Sequence, residues 1–216
     1  MIDYLRKQPN IVIVDYGVGN TFSVSNVMRK LDYKKIRISA NAREIIEADA
    51  LILPGVGAFG ACAANLRERH LDDILEEAVL GRHVPILGIC VGMQLMATVG
   101  EENGQHSGLN WIPGRVVRLE PPGGEAVPHV GWNDVATTFD SPLFARTKDR
   151  SNFYFDHSYE YICDEQSDVI GLCDYGKPVV AAISRGKIFG VQFHPEKSQV
   201  EGLKLFRGFF NMVQEC

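Results

Sequence analysis

The chain has 216 residues, of which 45% are apolar and 23% charged, and its formal net charge is −5. That length suits one α/β domain, 1–216, with room for a sizeable core. The mildly acidic balance, with no basic run, argues against nucleic acid as the main partner.

No window approaches the roughly 18 apolar residues that span a bilayer. The N-terminus "MIDYLRKQPN" lacks the apolar stretch and cleavage site of a signal peptide. Five cysteines without a CxxC pair favour neither a disulfide framework nor a zinc site. The expectation is a cytoplasmic chain with no membrane contact, no metal and no cofactor.

In chain order, residues 1–9 form an extension ahead of a first buried strand, "NIVIVDYG" (10–17). Asn20 is placed to cap a helix whose Val24, Val27, Met28 and Leu31 share one face. A strand over 34–39, a short helix near 41–47 and a strand over 49–57 follow. Residues 59–80 read as helix with a break near His70, 84–90 as a strand, and 91–99 as the next helix. This alternation predicts an open, mostly parallel sheet with helices on both faces. The second half reads as strands at 114–120, 151–161, 178–184 and 187–195, a mixed or antiparallel extension. A last helix, 198–213, puts Leu203, Phe206, Phe210 and Val213 on one face.

Ligands bind beyond the carboxyl ends of strands in such sheets. Three pieces lie there: Cys90 after "PILGI", the turn "PGVG" after "ALIL", and "HPE" after "FGVQF". A lone cysteine of this kind also fits a small buried hydrophobe. On a tight strand-to-helix turn, however, it is a nucleophile held out of the sheet with free N–H groups beside it. Its proton needs an acceptor that can later protonate a leaving amine, and His194 is the histidine that a strand delivers to a sheet end. Glu196 is placed to fix the imidazole tautomer. An acyl oxyanion needs two N–H donors. Val91 supplies one, and the turn of Gly55, Val56 and Gly57 the other. "DYGVGN" lacks both the full GxGxxG and the lysine of a phosphate loop, so it carries no such assignment.

Together, "GICVGMQ" (88–94) and "HPE" (194–196) resemble the class I, triad-type glutamine amidotransferases. Within them the chain is similar to the glutaminase subunits of imidazole glycerol phosphate synthases. That similarity rests on "PGVG" (54–57), "PHVGWN" (128–133), "FYFDHSY" (153–159) and "GVQFHPEKS" (190–198). The resemblance implies a triad of Cys90, His194 and Glu196. It implies that Gly57, Gln94, Glu102, Ser158 and Tyr159 hold glutamine, and that Asn20, Trp132 and Lys197 face a partner. That partner would be a separate (β/α)8-barrel cyclase in a heterodimer, which receives ammonia for histidine biosynthesis. Two alternatives stand beside this reading: a paralogous glutaminase serving a sugar-modifying amidotransferase of surface-polysaccharide synthesis, and a cysteine hydrolase of similar sheet architecture. One departure is Asp156, where the family usually has an apolar residue before the "HSY" histidine.

Overall fold

The computed structural model describes residues 8–137 and 141–215. The first half builds β1 (Ile11–Val14), α1 (Thr21–Lys30), β2 (Ile36–Ser39), α2 (Ala42–Ile46), β3 (Ala50–Gly55), α3 (Phe59–Glu68), α4 (Leu71–Glu76), β4 (Ile86–Cys90) and α5 (Val91–Gln94). The second half is strand-rich: β5 (Val99–Gly100), β6 (His106–Ser107), β7 (Gly114–Arg118), β8 (His129–Thr137), β9 (Ser151–His157), β10 (Tyr159–Cys163), β11 (Val169–Asp174), β12 (Pro178–Arg185) and β13 (Ile188–Val191). It closes with α6 (Gln199–Glu215).

Nine strands form one sheet in the order β2-β1-β3-β4-β13-β12-β11-β8-β9, and β10-β7-β5-β6 form a second. The ladders from β2 to β13 are parallel. Those from β13 to β9 are antiparallel. The order β2-β1-β3 reverses direction after the first crossover, so right-handed connections put α1 and α2 on opposite faces. The parallel strands β1, β3 and β4 are buried along their whole length, as a sheet covered on both faces requires.

Several local expectations hold for visible reasons. Asn20 caps α1 by accepting from Ser23 N. The helical run 59–80 breaks at His70, which adopts φ +54° between α3 and α4. In α6, Phe206 and Phe210 are buried, but Leu205 and Phe209 are buried too, while Leu203 and Val213 are only half-buried. The apolar stripe is therefore broader than the spacing of one face suggested. Residues 1–7 of the expected extension lie outside the described residues. At its end, Pro9 is buried and Gln8 Oε1 accepts from Lys34 N.

Two expectations are corrected. The helix expected over 91–99 stops at Gln94. The carbonyls of Leu95, Met96 and Ala97 are taken by N–H groups of the 109–112 segment, so no further helical turn can form. The strand expected over 151–161 is two strands in different sheets, β9 and β10, parted at Ser158. There the Leu119 N–H binds the Ser158 carbonyl and draws the chain across to β7. Strands β5, β6, β8 and β11 were not expected. Among the described residues no helix is long and apolar enough to cross a membrane.

Candidate active site

Cys90 ends β4 with φ +54° and ψ −114°, a conformation that costs a non-glycine residue strain and lifts its side chain out of the sheet. The bend brings residue 92 so close to β3 that a Cβ there would lie 1.8 Å from the Leu53 carbonyl oxygen. Only glycine fits. In the β3–β4 ladder Gly55 lies opposite Cys90, which sets the 54–57 turn beside the sulfur. Gly57 takes φ +96°, a backbone region that side chains resist. The turn is held from within by Tyr16 Oη, donating to the Pro54 carbonyl (2.8 Å), and by Cys62 Sγ, donating to the Val56 carbonyl (3.4 Å). Burial pushes the Cys62 thiol up to about 11 and raises the Tyr16 hydroxyl well above its ordinary value, so both stay protonated donors.

His194 follows β13. Its N–H donates to the Tyr154 carbonyl (2.8 Å), and its own carbonyl accepts from Ser198 Oγ (2.6 Å). The imidazole Nδ1 lies 2.8 Å from Glu196 Oε1, and the ring interacts electrostatically with Cys90, with which it lines one cavity. With Nδ1 engaged by the carboxylate, Nε2 is the nitrogen left for sulfur. Burial alone would lower the pKa of His194. The interactions with Cys90 and Glu196 outweigh it and push the value up to about 10. Glu196 Oε2 is buried without a hydrogen-bond partner among the described residues, so His194 is the group that balances this carboxylate.

A cavity of about 520 Å³ opens over Cys90 and His194. Of the other residues expected at the site, Val56, Gly57 and Val91 line its nucleophile side, and Gln94, Glu102, Ser158 and Tyr159 line the remainder. Gly55 and Glu196 stand behind the lining. Glu102 Oε2 also accepts from Phe59 N (2.7 Å), capping α3, whose own N-cap residue Ala58 offers no side-chain bond. Among the expected partner-facing residues, Lys197 lines the cavity mouth, with Nζ 3.8 Å from Asp156 Oδ2 and 5.2 Å from the centre of the Tyr154 ring. Trp132 is half-exposed on β8 and lines a separate groove with Val200. Asn20 lines neither.

Arg118, Asn103, Pro128 and His157 also line the cavity, and the sequence pattern gave them no role. Arg118 had a signal: by alternation it shares a face of β7 with Gly114 and Val116, though it is itself exposed, and it pairs with Tyr159. His157 had none. Its Nδ1 donates to the Tyr159 carbonyl (2.9 Å), its Nε2 accepts from His129 Nδ1 (2.9 Å), and His129 Nε2 faces Asn133 Nδ2 (3.3 Å). Burial is the main force holding both rings neutral, with pKa values pushed down to about 4.

This is the geometry of a cysteine nucleophile with a carboxylate-oriented histidine, which suits acyl transfer from an amide. Residues 12–213 match the family model described as "Glutamine amidotransferase class-I". The chain belongs to the class I glutamine amidotransferase family. It is 41% identical over 203 residues to the imidazole glycerol phosphate synthase subunit HisH 2 of Pseudomonas aeruginosa, covering 94% of this chain and 100% of that protein. The corresponding subunit of Moorella thermoacetica is 43% identical over 206 residues, covering 95% and 96%. Among solved structures, PurLQS from Thermotoga maritima superposes with a TM-score of 0.75 at 16% identity, covering 96% of this chain and all of that one. A putative GMP synthase protein from Thermoplasma acidophilum gives 0.71 at 21%, covering 95% and 94%. At such low identity these two likenesses speak for the fold, which is shared along nearly the whole chain.

Proposed function

We propose that this chain is the glutaminase subunit of an imidazole glycerol phosphate synthase. Cys90 Sγ attacks the side-chain amide carbon of glutamine. The oxyanion is held by the N–H of Val91 and by the turn of Gly55, Val56 and Gly57. His194 carries the thiol proton to the departing ammonia, and water then hydrolyses the γ-glutamyl thioester to glutamate. Gln94, Glu102, Ser158 and Tyr159 hold the substrate. One hard amide hydrolysis becomes two easier steps. The reading is carried by one observation: Cys90 and His194, far apart in sequence, line the same cavity, with Glu196 Oε1 2.8 Å from the imidazole Nδ1.

Ammonia freed into neutral water becomes ammonium, which is no nucleophile. The product therefore passes directly to a second protein, a (β/α)8-barrel cyclase docked on the face that carries Asn20, Trp132 and Lys197. The acceptor is the nucleotide intermediate of histidine biosynthesis. The complex works in the cytoplasm, where Cys62, Cys90, Cys163 and Cys173 stay reduced.

The test has two arms. Glutamine hydrolysis by the purified complex should vanish in Cys90→Ala, with the fold retained by circular dichroism; surviving turnover rejects the chemistry. Pull-down from the native host should recover the cyclase. A sugar-modifying amidotransferase in its place would keep the chemistry and change the acceptor.

A further inference from the structure

Gln192 stands two residues before His194 in "GVQFHPEKS" and is fully buried behind the cavity wall. Its carboxamide is one link of a chain whose direction a backbone carbonyl dictates. The Tyr159 carbonyl can only accept, so Gln94 must turn Nε2 towards it, at 3.2 Å. The same Nε2 lies 2.9 Å from Gln192, which must therefore present Oε1. That leaves Gln192 Nε2 3.7 Å from Cys90 Sγ. Turning the Gln192 amide over would set two NH2 groups face to face and aim an oxygen at the sulfur.

We propose that the Gln192 carboxamide is a fourth catalytic group of this site, donating from Nε2 to Cys90 Sγ while its Oε1 fixes the Gln94 carboxamide for substrate. The proposal rests on Cys90 being the nucleophile. An N–H can only donate, so the contact strengthens as negative charge gathers on sulfur, and burial magnifies it. Sulfur has no long helix to help it, because α5 is a single turn. In the first step the S–C bond forms, the C–N bond breaks and ammonia leaves with the proton from His194. In the second, water gives a proton to His194 as its oxygen bonds the acyl carbon, and the C–S bond breaks. The electron pair returns to sulfur, where Gln192 receives it. The chain also leaves Gln94 Oε1 as the polar atom of that side chain free to meet substrate. An acceptor there selects an ammonium or amide N–H.

The near-isosteric variants Gln192→Glu and Gln192→Met separate the two contacts. The readout is the pH dependence of Cys90 alkylation by iodoacetamide on the full chain. Other titratable groups act on Cys90 too: His194 in the same cavity, Tyr16 and Cys62 from the β3 side. All of these are unchanged in both variants, but Gln192→Glu adds a carboxyl of its own beside the sulfur, so Gln192→Met isolates the lost donor. Losing the donor should raise the alkylation midpoint by about one pH unit. In complex with the synthase partner, both variants should lose about 10-fold in kcat. Gln192→Glu, which keeps an acceptor for Gln94, should hold KM, and Gln192→Met should raise it. Parallel losses in both variants with an unmoved midpoint would mean packing alone and overturn the proposal. In the unsubstituted chain, the Gln192 side-chain 15N–1H resonances should titrate with the alkylation midpoint. Flat resonances overturn the proposal even where a variant fails to fold. Full glutamine hydrolysis by Cys90→Ala is a separate failure, of the nucleophile itself.

Discussion

On the side of the cavity formed by β3 and β4, the sulfur is placed by backbone. The ladder sets Gly55 opposite Cys90, and Gly92 sits against the Leu53 carbonyl with no room for a methyl group. On the side formed by β9, β10 and the turn after β13, position comes from side-chain hydrogen bonds. One line runs from Asn133 through His129 and His157 to the Tyr159 carbonyl, and another from Glu196 to His194. A backbone wall is rigid and breaks all at once. A side-chain wall can lose one function while the fold survives.

The largest expected effect separates these two behaviours most cleanly. Glu196→Gln keeps the size of the carboxylate but removes the charge that holds His194 protonated and correctly turned. We expect kcat for glutamine hydrolysis to fall roughly 10²–10⁴-fold in a chain that still folds, with Tm lowered near neutral pH by the lost His194–Glu196 pair. Retained kcat would mean that the Glu196–His194 contact does not orient the base. Gly92→Ala should act through the fold itself. Its methyl group must displace β3, which costs about 3 kcal/mol and lowers Tm by about 10 °C, with activity lost alongside. Thermal scans of the two variants side by side test the contrast.

The two walls were also unequally legible in the sequence. The backbone wall is a local pattern: apolar runs ending at "GICVG" and "PGVG" announce buried strands, a tight turn and a candidate nucleophile. Cys90, His194 and the residues expected to hold glutamine line one cavity, with Glu196 behind His194. The side-chain wall draws on partners from separate segments, and no periodicity pairs His129 with His157 or Gln94 with Gln192. The sequence showed helical character at 91–99, but the carbonyls of Leu95 to Ala97 are claimed by a distant segment that no window includes. Likewise the break at Ser158 depends on β7 capturing the strand, so one apolar run became two sheets.

Titration should sharpen the comparison next. His129 and His157 are held near 4 against an ordinary 6.5, so the unfolded chain takes up protons first as pH falls. Their contribution is full above about pH 6.5 and is lost as pH drops through 4. His194, raised to about 10, behaves in reverse: its contribution is full below 6.5 and is lost as pH climbs through 10. Tm against pH should therefore decline on both flanks. Replacing His157 with glutamine should flatten the acid flank between pH 6.5 and 4, and replacing His194 with glutamine the alkaline one. Identical flanks in the variants would show that other groups set the profile.

The smallest effect belongs to Asp156, the residue that departs from the family pattern. Its carboxylate meets Lys197 at 3.8 Å, and both side chains remain close to half-exposed, so water and salt screen the pair. Lys197 has a second hold on Tyr154, and the Asp156 carbonyl, which faces Cys90 Sγ at 4.0 Å, belongs to the backbone. Asp156→Val should therefore change unfolding free energy by less than about 1 kcal/mol. That difference should shrink further near 1 M salt, where the screening length is about 3 Å. Urea midpoints at low and high salt measure it. A large, salt-independent loss would mean that this charge supports the side-chain wall from within. A small one would leave it as a surface feature whose consequence is confined to what Lys197 can reach.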